Sequence, residues 1–235
     1  MPIKADILAF AAHPDDVELS CSGTLMRHIA MGKTVGIVDL TRGELGTRGS
    51  ADLRDLESKK ASEVMGLHFR ENLRMADGFF EDNKAHQLKI IEMIRLYRPE
   101  IVLANAVNDR HIDHGRAAQL VHNAAFLSGL AKIETGDLKP WRPKRILHYI
   151  QDYSMQPDLV VDITPYYEKK KASIMAYASQ FYDPNSKEPE TPISGEGFFK
   201  FLDARSMEMG RLIGVEYGEG FICKTPLHIS DITNI

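Results

Sequence analysis

The sequence predicts an α/β fold, a Rossmann-like, doubly wound, mostly parallel sheet with helices on both faces. Three observations predict it. The apolar runs Ile7 to Ala12 and Ile101 to Ala104 are unbroken, as strands buried on both faces of a parallel sheet must be. Such runs alternate with stretches of helical periodicity, the pattern of successive βαβ units. Two of them end directly in clusters of His and Asp, and open α/β sheets place their ligands at the carboxyl ends of strands.

The chain of 235 residues is long enough for one well-cored domain, and residues 1–235 are read as a single unit. Its hydrophobic fraction of 43%, charged fraction of 26% and net charge of -4 are those of an ordinary soluble protein. Lys169-Lys170-Lys171 is the one basic run and reads as a solvated helix face, so no nucleic-acid partner is expected. No apolar run approaches a membrane span, and Met1 to Asp6 lacks a signal-peptide layout; a cytoplasmic protein without a membrane partner is expected. Cys21 and Cys223 lie far apart with no CxxC, which argues against a disulfide framework or a thiolate zinc site.

Taken in order, strand Ile7 to Ala12 leads through Ala12-His13-Pro14-Asp15-Asp16 into a helix with Val17, Leu25, Met26 and Ile29 on its stripe. Gly32-Lys33 closes that helix and Thr34 to Leu40 forms the second strand, completing a right-handed βαβ unit. The loop Thr41 to Ser50 is rich in glycine and charge: its glycines permit close approach to a ligand, and Arg42, Glu44 and Arg48 are suited to hydroxyls or an anion. Ser50 caps the next helix, Ala51 to Met65, where Arg54 falls in the first turn. A cation there opposes the helix dipole, which makes Arg54 a candidate anion contact. A short third strand is expected at Leu73 to Met75, then the turn Asp77-Gly78 and a helix from Lys84 to Tyr97 ended by Pro99. Strand Ile101 to Ala104 runs into Asn105 to His114, followed by a helix from Gly115 to Leu130. Strands at Arg145 to Ile150 and Leu159 to Ile163 complete the set. Thr164-Pro165 starts a helix to Ala178, Asp183 to Gly197 reads as a surface loop or lid, and a last amphipathic helix runs from Phe198 to Ile213 and stops at Gly214.

The winding pattern makes the first strand and the strand at Ile101 neighbours at the switch point, with His13 and Asp16 facing His111, Asp113 and His114. Two imidazoles and a carboxylate with an open fourth position make a catalytic zinc site, and His13, Asp16 and His114 are the expected ligands. Asp113 is a candidate acceptor for a ligand's second ring proton. Asp15, beside a ligand but pointing elsewhere, is the expected general base, and His111 is left to stabilise an oxyanion or protonate a leaving amine. An alternative is that Asp15 and Asp16 only cap a helix. His28, His68, His86, His122, His148 and His228 are read as surface or structurally satisfied. Neither GxGxxG nor GxxxxGK[ST] is present where a nucleotide fold would need it.

On Ala12 to Asp16, Ser22-Gly23-Thr24, Thr41 to Glu44 and His111 to His114, together with Ala178-Ser179-Gln180 and the stretch Gly214 to Phe221, the chain resembles the LmbE/PIG-L family of zinc-dependent N-acetylglucosamine deacetylases. Its length and the run Leu40 to Gly49 are most similar to members that deacetylate N-acetylglucosaminyl malate in bacillithiol biosynthesis. The resemblance implies a Rossmann-like fold, one zinc per chain with the roles given above, and a small sugar conjugate as partner. It also implies contacts from Arg54 and Arg110 to an acidic aglycone, and a trimer or hexamer. Iron is the alternative metal in the cell. Where some relatives carry a catalytic tyrosine two positions before the first histidine of the second motif, this chain has Asp109, which leaves His111 as proton donor by default. The rival readings are deacetylation of another substrate such as a chitooligosaccharide, and a non-catalytic sugar-binding module.

Overall fold

The structure is a computed structural model that describes residues 3–181, 185–231 and 233. β1 (Ile7–Ala11) is buried throughout and is followed by α1 (Asp16–Ala30) and β2 (Val35–Asp39). α2 (Ala51–Met65) leads to β3 (Phe69–Asn72), α3 (Lys84–Tyr97) to β4 (Ile101–Ala104) and α4 (Ile112–Leu127) to β5 (Arg145–Tyr149). β6 (Leu159–Asp162), α5 (Tyr167–Met175), α6 (Phe198–Ile213) and β7 (Gly218–Ile222) complete the chain. The strand order is β3-β2-β1-β4-β5-β7-β6, parallel except for β7, which runs antiparallel to both its neighbours.

β1 pairs with β2 on one side and β4 on the other, so the winding reverses between β1 and β4 and a crevice opens at their carboxyl ends. The two-residue period of β1 divides its side chains between the faces. Leu8 and Phe10 join Ile91, Leu120 and Val121 of α3 and α4 on one face, while Ala9 and Ala11 join Leu25, Ile37 and Met65 on the other. Each large side chain buried in this way contributes roughly 1.5–3 kcal/mol. A third cluster, Ala61, Ile174, Tyr177, Phe181 and Leu202, ties α2, α5 and α6 together beside the crevice. No helix among the described residues is long and apolar enough to cross a membrane, and both cysteines are free.

The differences from the sequence reading have local causes. The third strand lies at Phe69–Asn72, not at Leu73 to Met75. Arg70 and Glu71 disguise it: the guanidinium of Arg70 is neutralised by Asp39 and Glu18, and the Phe69 ring covers Gly36 and stacks on Tyr97 at 3.9 Å. Leu73 and Met75 instead hang from Asp39 and Leu40 by backbone hydrogen bonds and turn into the core. α4 starts at Ile112 and not Gly115, because the His111 imidazole serves as its cap. The expected helix Thr164 to Ala178 divides into a 3-10 turn at Thr164–Tyr166 and α5. β7 was not expected at all. Gly218 and Gly220 weaken its strand signal, yet both are needed, since a Cβ there would meet Gly210 and Met209 of α6 at 2.8 Å. Met1 and Pro2, and Asp183 and Pro184 of the expected loop, lie outside the described residues.

Candidate active site

β1 delivers His13, Asp15 and Asp16 to the crevice, and β4 delivers Asp109, His111 and His114; all six line a cavity of about 550 Å³. Asp15 occupies the N-cap position of α1 at φ 116°, a left-handed conformation costly for any residue with a side chain, and makes no capping hydrogen bond. The capping alternative therefore does not account for it. Its carboxylate accepts no hydrogen bond among the described residues, and the nearest cation is Arg54 Nη1 at 4.0 Å. Burial, reinforced by the charges of Asp16 and Glu18 and opposed by Arg54, pushes its pKa up to about 7.

Asp16 is held in the opposite state. Its Oδ2 accepts from the His13 backbone N–H at 2.9 Å, and its Oδ1 lies 3.0 Å from His114 Nε2. Burial would raise its pKa, but the charges and hydrogen bonds of His114 and His13 outweigh burial and hold it far below the usual carboxylate range. His13 Nε2 lies 3.0 Å from Asp77 Oδ1 and 3.2 Å from Asp113 Oδ2, while its Nδ1 lies 3.7 Å from Asp16 Oδ2. His114 Nδ1 lies 2.5 Å from Asp109 Oδ2. Burial would lower both imidazoles; hydrogen bonds to Asp113 and Asp77 raise His13 to about 10, and the charge of Asp16 with its own bonds to Asp109 and Asp16 raises His114 to about 9.

His111 differs. Its Nδ1 accepts from the Asp113 backbone N–H at 3.2 Å, so the neutral ring carries its proton on Nε2 and is a donor toward the cavity. Burial and then the charges of His13 and His114 lower its pKa, which favours that neutral form. Two groups have ligand atoms within 4.8 Å of one another and are able to hold a metal: His13, His111 and His114, and His13, Asp77 and Asp113.

The remaining expected residues fall into place unequally. Arg54 is 6% exposed, lines the cavity, and its guanidinium makes no hydrogen bond among the described residues. Gly43, at φ 66°, makes room for it, since a Cβ there would sit 2.4 Å from Arg54 Nη1. Arg110 lines the cavity but its guanidinium bonds Asp152. Glu44 does not line it: one carboxylate oxygen accepts from Asp77 N and the other from Arg42 N, so it braces the loop and not a ligand. Asp113 is fully buried behind His13, with its second oxygen on Arg116. Sequence reasoning missed Asp77, which looked like a turn residue, as well as Gln151 and Arg205. Gln151 lies two residues beyond β5, so a census of polar residues at every strand end would have found it. Arg205 sits inside a helix and carries no such signal.

A family model described as GlcNAc-PI de-N-acetylase (PIG-L) matches residues 8–125. Diacetylchitobiose deacetylase of Thermococcus kodakarensis is 26% identical over 245 residues, covering 97% of this chain and 87% of that protein. The conserved protein TT1542 of Thermus thermophilus has a crystal structure that superposes with a TM-score of 0.87 at 35% identity, covering 97% of this chain and 98% of that one. 4-Oxalmesaconate hydratase of Pseudomonas putida, 24% identical over 74% of this chain and 73% of that protein, is similar as well.

Proposed function

The chain belongs to the PIG-L family, and from that premise we propose that it is a metal-dependent deacetylase of an N-acetylglucosaminyl conjugate, with N-acetylglucosaminyl malate as substrate. The observation that carries the reading is Asp15: a strained, buried carboxylate of pKa about 7, without a hydrogen bond among the described residues, beside a set of metal-binding groups. A group poised near neutrality is what a general base needs.

His13 Nδ1, Asp16 and His114 Nε2 form the ligand set. Each imidazole has its other nitrogen committed to a carboxylate, so the inner proton of each ring must leave for a cation to bind, which frees lone pairs that converge near Asp16. His13 Nδ1 lies 3.7 Å from one Asp16 oxygen and His114 Nε2 3.0 Å from the other, so both imidazoles are within reach of a cation held by this carboxylate. His111 is close enough to His13 and His114 to hold a metal with them, but its Nδ1 already accepts a backbone N–H and its Nε2 then holds the proton, so we assign it as a donor and Asp16 as the third ligand. A divalent cation on these ligands supplies Lewis acidity to the acetyl carbonyl and the attacking water.

The chain's own groups do the rest. Asp15 takes the proton of the attacking water as oxygen bonds to the acetyl carbon. His111 Nε2–H donates to the oxyanion. As the carbon–nitrogen bond breaks, we assign delivery of the proton held by Asp15 to the departing amine, and not the expected delivery from His111, whose single Nε2–H is engaged with the oxyanion; acetate and a free glucosamine amine result. Arg54, buried at the cavity wall and 4.0 Å from its nearest anion, supports an acidic aglycone, because a malate carboxylate would complete its hydrogen bonding. The similarity to diacetylchitobiose deacetylase favours a second reading, a chitobiose-type substrate.

The test is acetate release from N-acetylglucosaminyl malate, free N-acetylglucosamine and diacetylchitobiose, by metal-stripped and zinc-restored protein. Zinc-dependent release, fastest from the malate conjugate, is expected. Fastest release from diacetylchitobiose would move the substrate to the second reading. Absence of release from all three would overturn the deacetylase assignment.

A further inference from the structure

Asp16 receives more than its histidine neighbours. Asn105 Nδ2 donates to its Oδ2 at 2.9 Å and Gln151 Nε2 donates to its Oδ1 at 3.1 Å. Asn105 directly follows β4 and is fully buried; Gln151 is 5% exposed at the same edge of the sheet.

The orientation of both amides is forced by the backbone. Asn105 Oδ1 accepts from Ala12 N–H at 2.9 Å, and Gln151 Oε1 accepts from Ala106 N–H at 3.1 Å and from Asn105 Nδ2 at 3.0 Å. With both carbonyl oxygens claimed, both NH2 groups face Asp16. A flip of either amide would turn a carbonyl oxygen onto a carboxylate and an NH2 onto a backbone N–H. The Gln151 backbone is anchored in turn: Arg205 of α6 bonds its carbonyl through Nη1 and the Leu19 carbonyl of α1 through Nη2.

We propose that Gln151, acting with Asn105, is a positioning residue that sets the orientation of the Asp16 carboxylate and thereby the metal affinity of the site. The proposal rests on the reading of His13, Asp16 and His114 as ligands. Its physical logic lies in charge. Asp15, Asp77, Asp109 and Asp113 already surround Asp16 and the two histidines, so a further carboxylate would repel Asp16, and a Lys or Arg would oppose a cation. A neutral donor orients the ligand without either cost. Asp16 is thus aimed by the ends of three strands, β1 through Ala12, β4 through Asn105 and Ala106, and β5 through Gln151.

The experiment measures zinc affinity by competition with a chromophoric chelator, and the electronic spectrum of the Co2+-substituted protein, for wild type, Gln151→Met and Gln151→Glu. Wild type is the first arm: failure to bind either metal there would remove the ligand reading itself. Given metal-binding wild type, Gln151→Met is expected to bind zinc about 10–100-fold more weakly, as loss of an outer partner of a ligand does, and to shift the Co2+ bands. Gln151→Glu keeps the acceptor for Ala106 and Asn105, and hence the packing, but places an oxygen against Asp16; its Co2+ bands are expected to shift too. Zinc affinity within about twofold of wild type, far less than an outer-partner loss, together with an unchanged Co2+ spectrum would overturn the positioning role while leaving the ligand reading intact. If Gln151→Met does not fold by circular dichroism, Gln151→Glu decides by the same criteria.

Discussion

At Asp15 a single residue carries two opposed demands. Its φ of 116° aims the carboxylate into the cavity at a cost a glycine would not incur. Asp15→Asn is therefore expected to retain zinc, by elemental analysis, while losing about 10²–10⁴-fold in turnover. Asp15→Gly is expected to be equally inactive yet more stable than wild type by about 1 kcal/mol in urea unfolding, because the strain is relieved. A stability equal to that of Asp15→Asn would show that the backbone there stores no usable strain. The motif Ala12 to Asp16 was legible because His, Pro and two carboxylates follow a strand without a break. The strain was not, since φ is imposed by the sheet end and by α1, and no composition reveals it.

At the scale of elements, α1 is two helical segments joined across Cys21, whose φ and ψ are −143° and 15°. The break leaves N–H groups in mid-helix that would otherwise bond within it. Glu219 of β7 accepts those of Gly23 and Thr24 at 3.0 and 2.6 Å, and also accepts from Lys170 Nζ of α5 at 2.6 Å. The Leu19 carbonyl, freed on the other side of the break, is the one Arg205 takes. Because Lys170 and Glu219 are both buried, removing one leaves an uncompensated charge. Glu219→Gln or Lys170→Met alone is expected to cost about 3–5 kcal/mol, and the double variant Lys170→Met/Glu219→Gln clearly less than the sum of the singles. Additive losses in urea unfolding would refute the coupling. The sequence presented Lys170 as part of a solvated basic run. Only packing of α5 on α1 and α2 shows that the middle lysine of the three is the one turned inward.

For the molecule as a whole, response to acid is set in part at the centre of the sheet. His148 of β5 is fully buried, donates through Nδ1 to the Asn105 carbonyl at 2.9 Å, and is driven by burial down to about 4. Its neutral form is the folded form, whereas the unfolded chain takes up the proton near pH 6.5. Its contribution is thus complete above pH 6.5 and lost as pH falls toward 4, about 3 kcal/mol in all. Unfolding free energies of wild type and His148→Leu, compared at pH 7 and pH 4.5, are expected to converge at the lower pH. A gap independent of pH would mean that His148 does not titrate in this window. The variant also leaves the Asn105 carbonyl unpaired, so the change in the gap is the readout and not its size.

What the sequence by itself determined was local and periodic. It carried the parallel strands, the order of helices between them, and the two strand ends that bear His13, Asp15 and Asp16 and His111 to His114, because burial on both faces and the switch point leave their marks on neighbouring residues. Arg54 stood out as a candidate anion contact, since a first-turn arginine is out of place on dipole grounds, but its placement against the Gly43 loop came only with the structure. What only the tertiary structure decided was which nitrogen meets which oxygen. His13 meets Asp113 across 100 residues, at the ends of the neighbouring strands β1 and β4, and Gln151 meets Asp16 across 135, at the ends of β5 and β1 with β4 between them. The edge strand β3 and the glycine-bearing β7 likewise waited on tertiary structure. Their stability comes from Arg70 pairing with Asp39 and from α6 packing on bare backbone, not from an apolar pattern of their own.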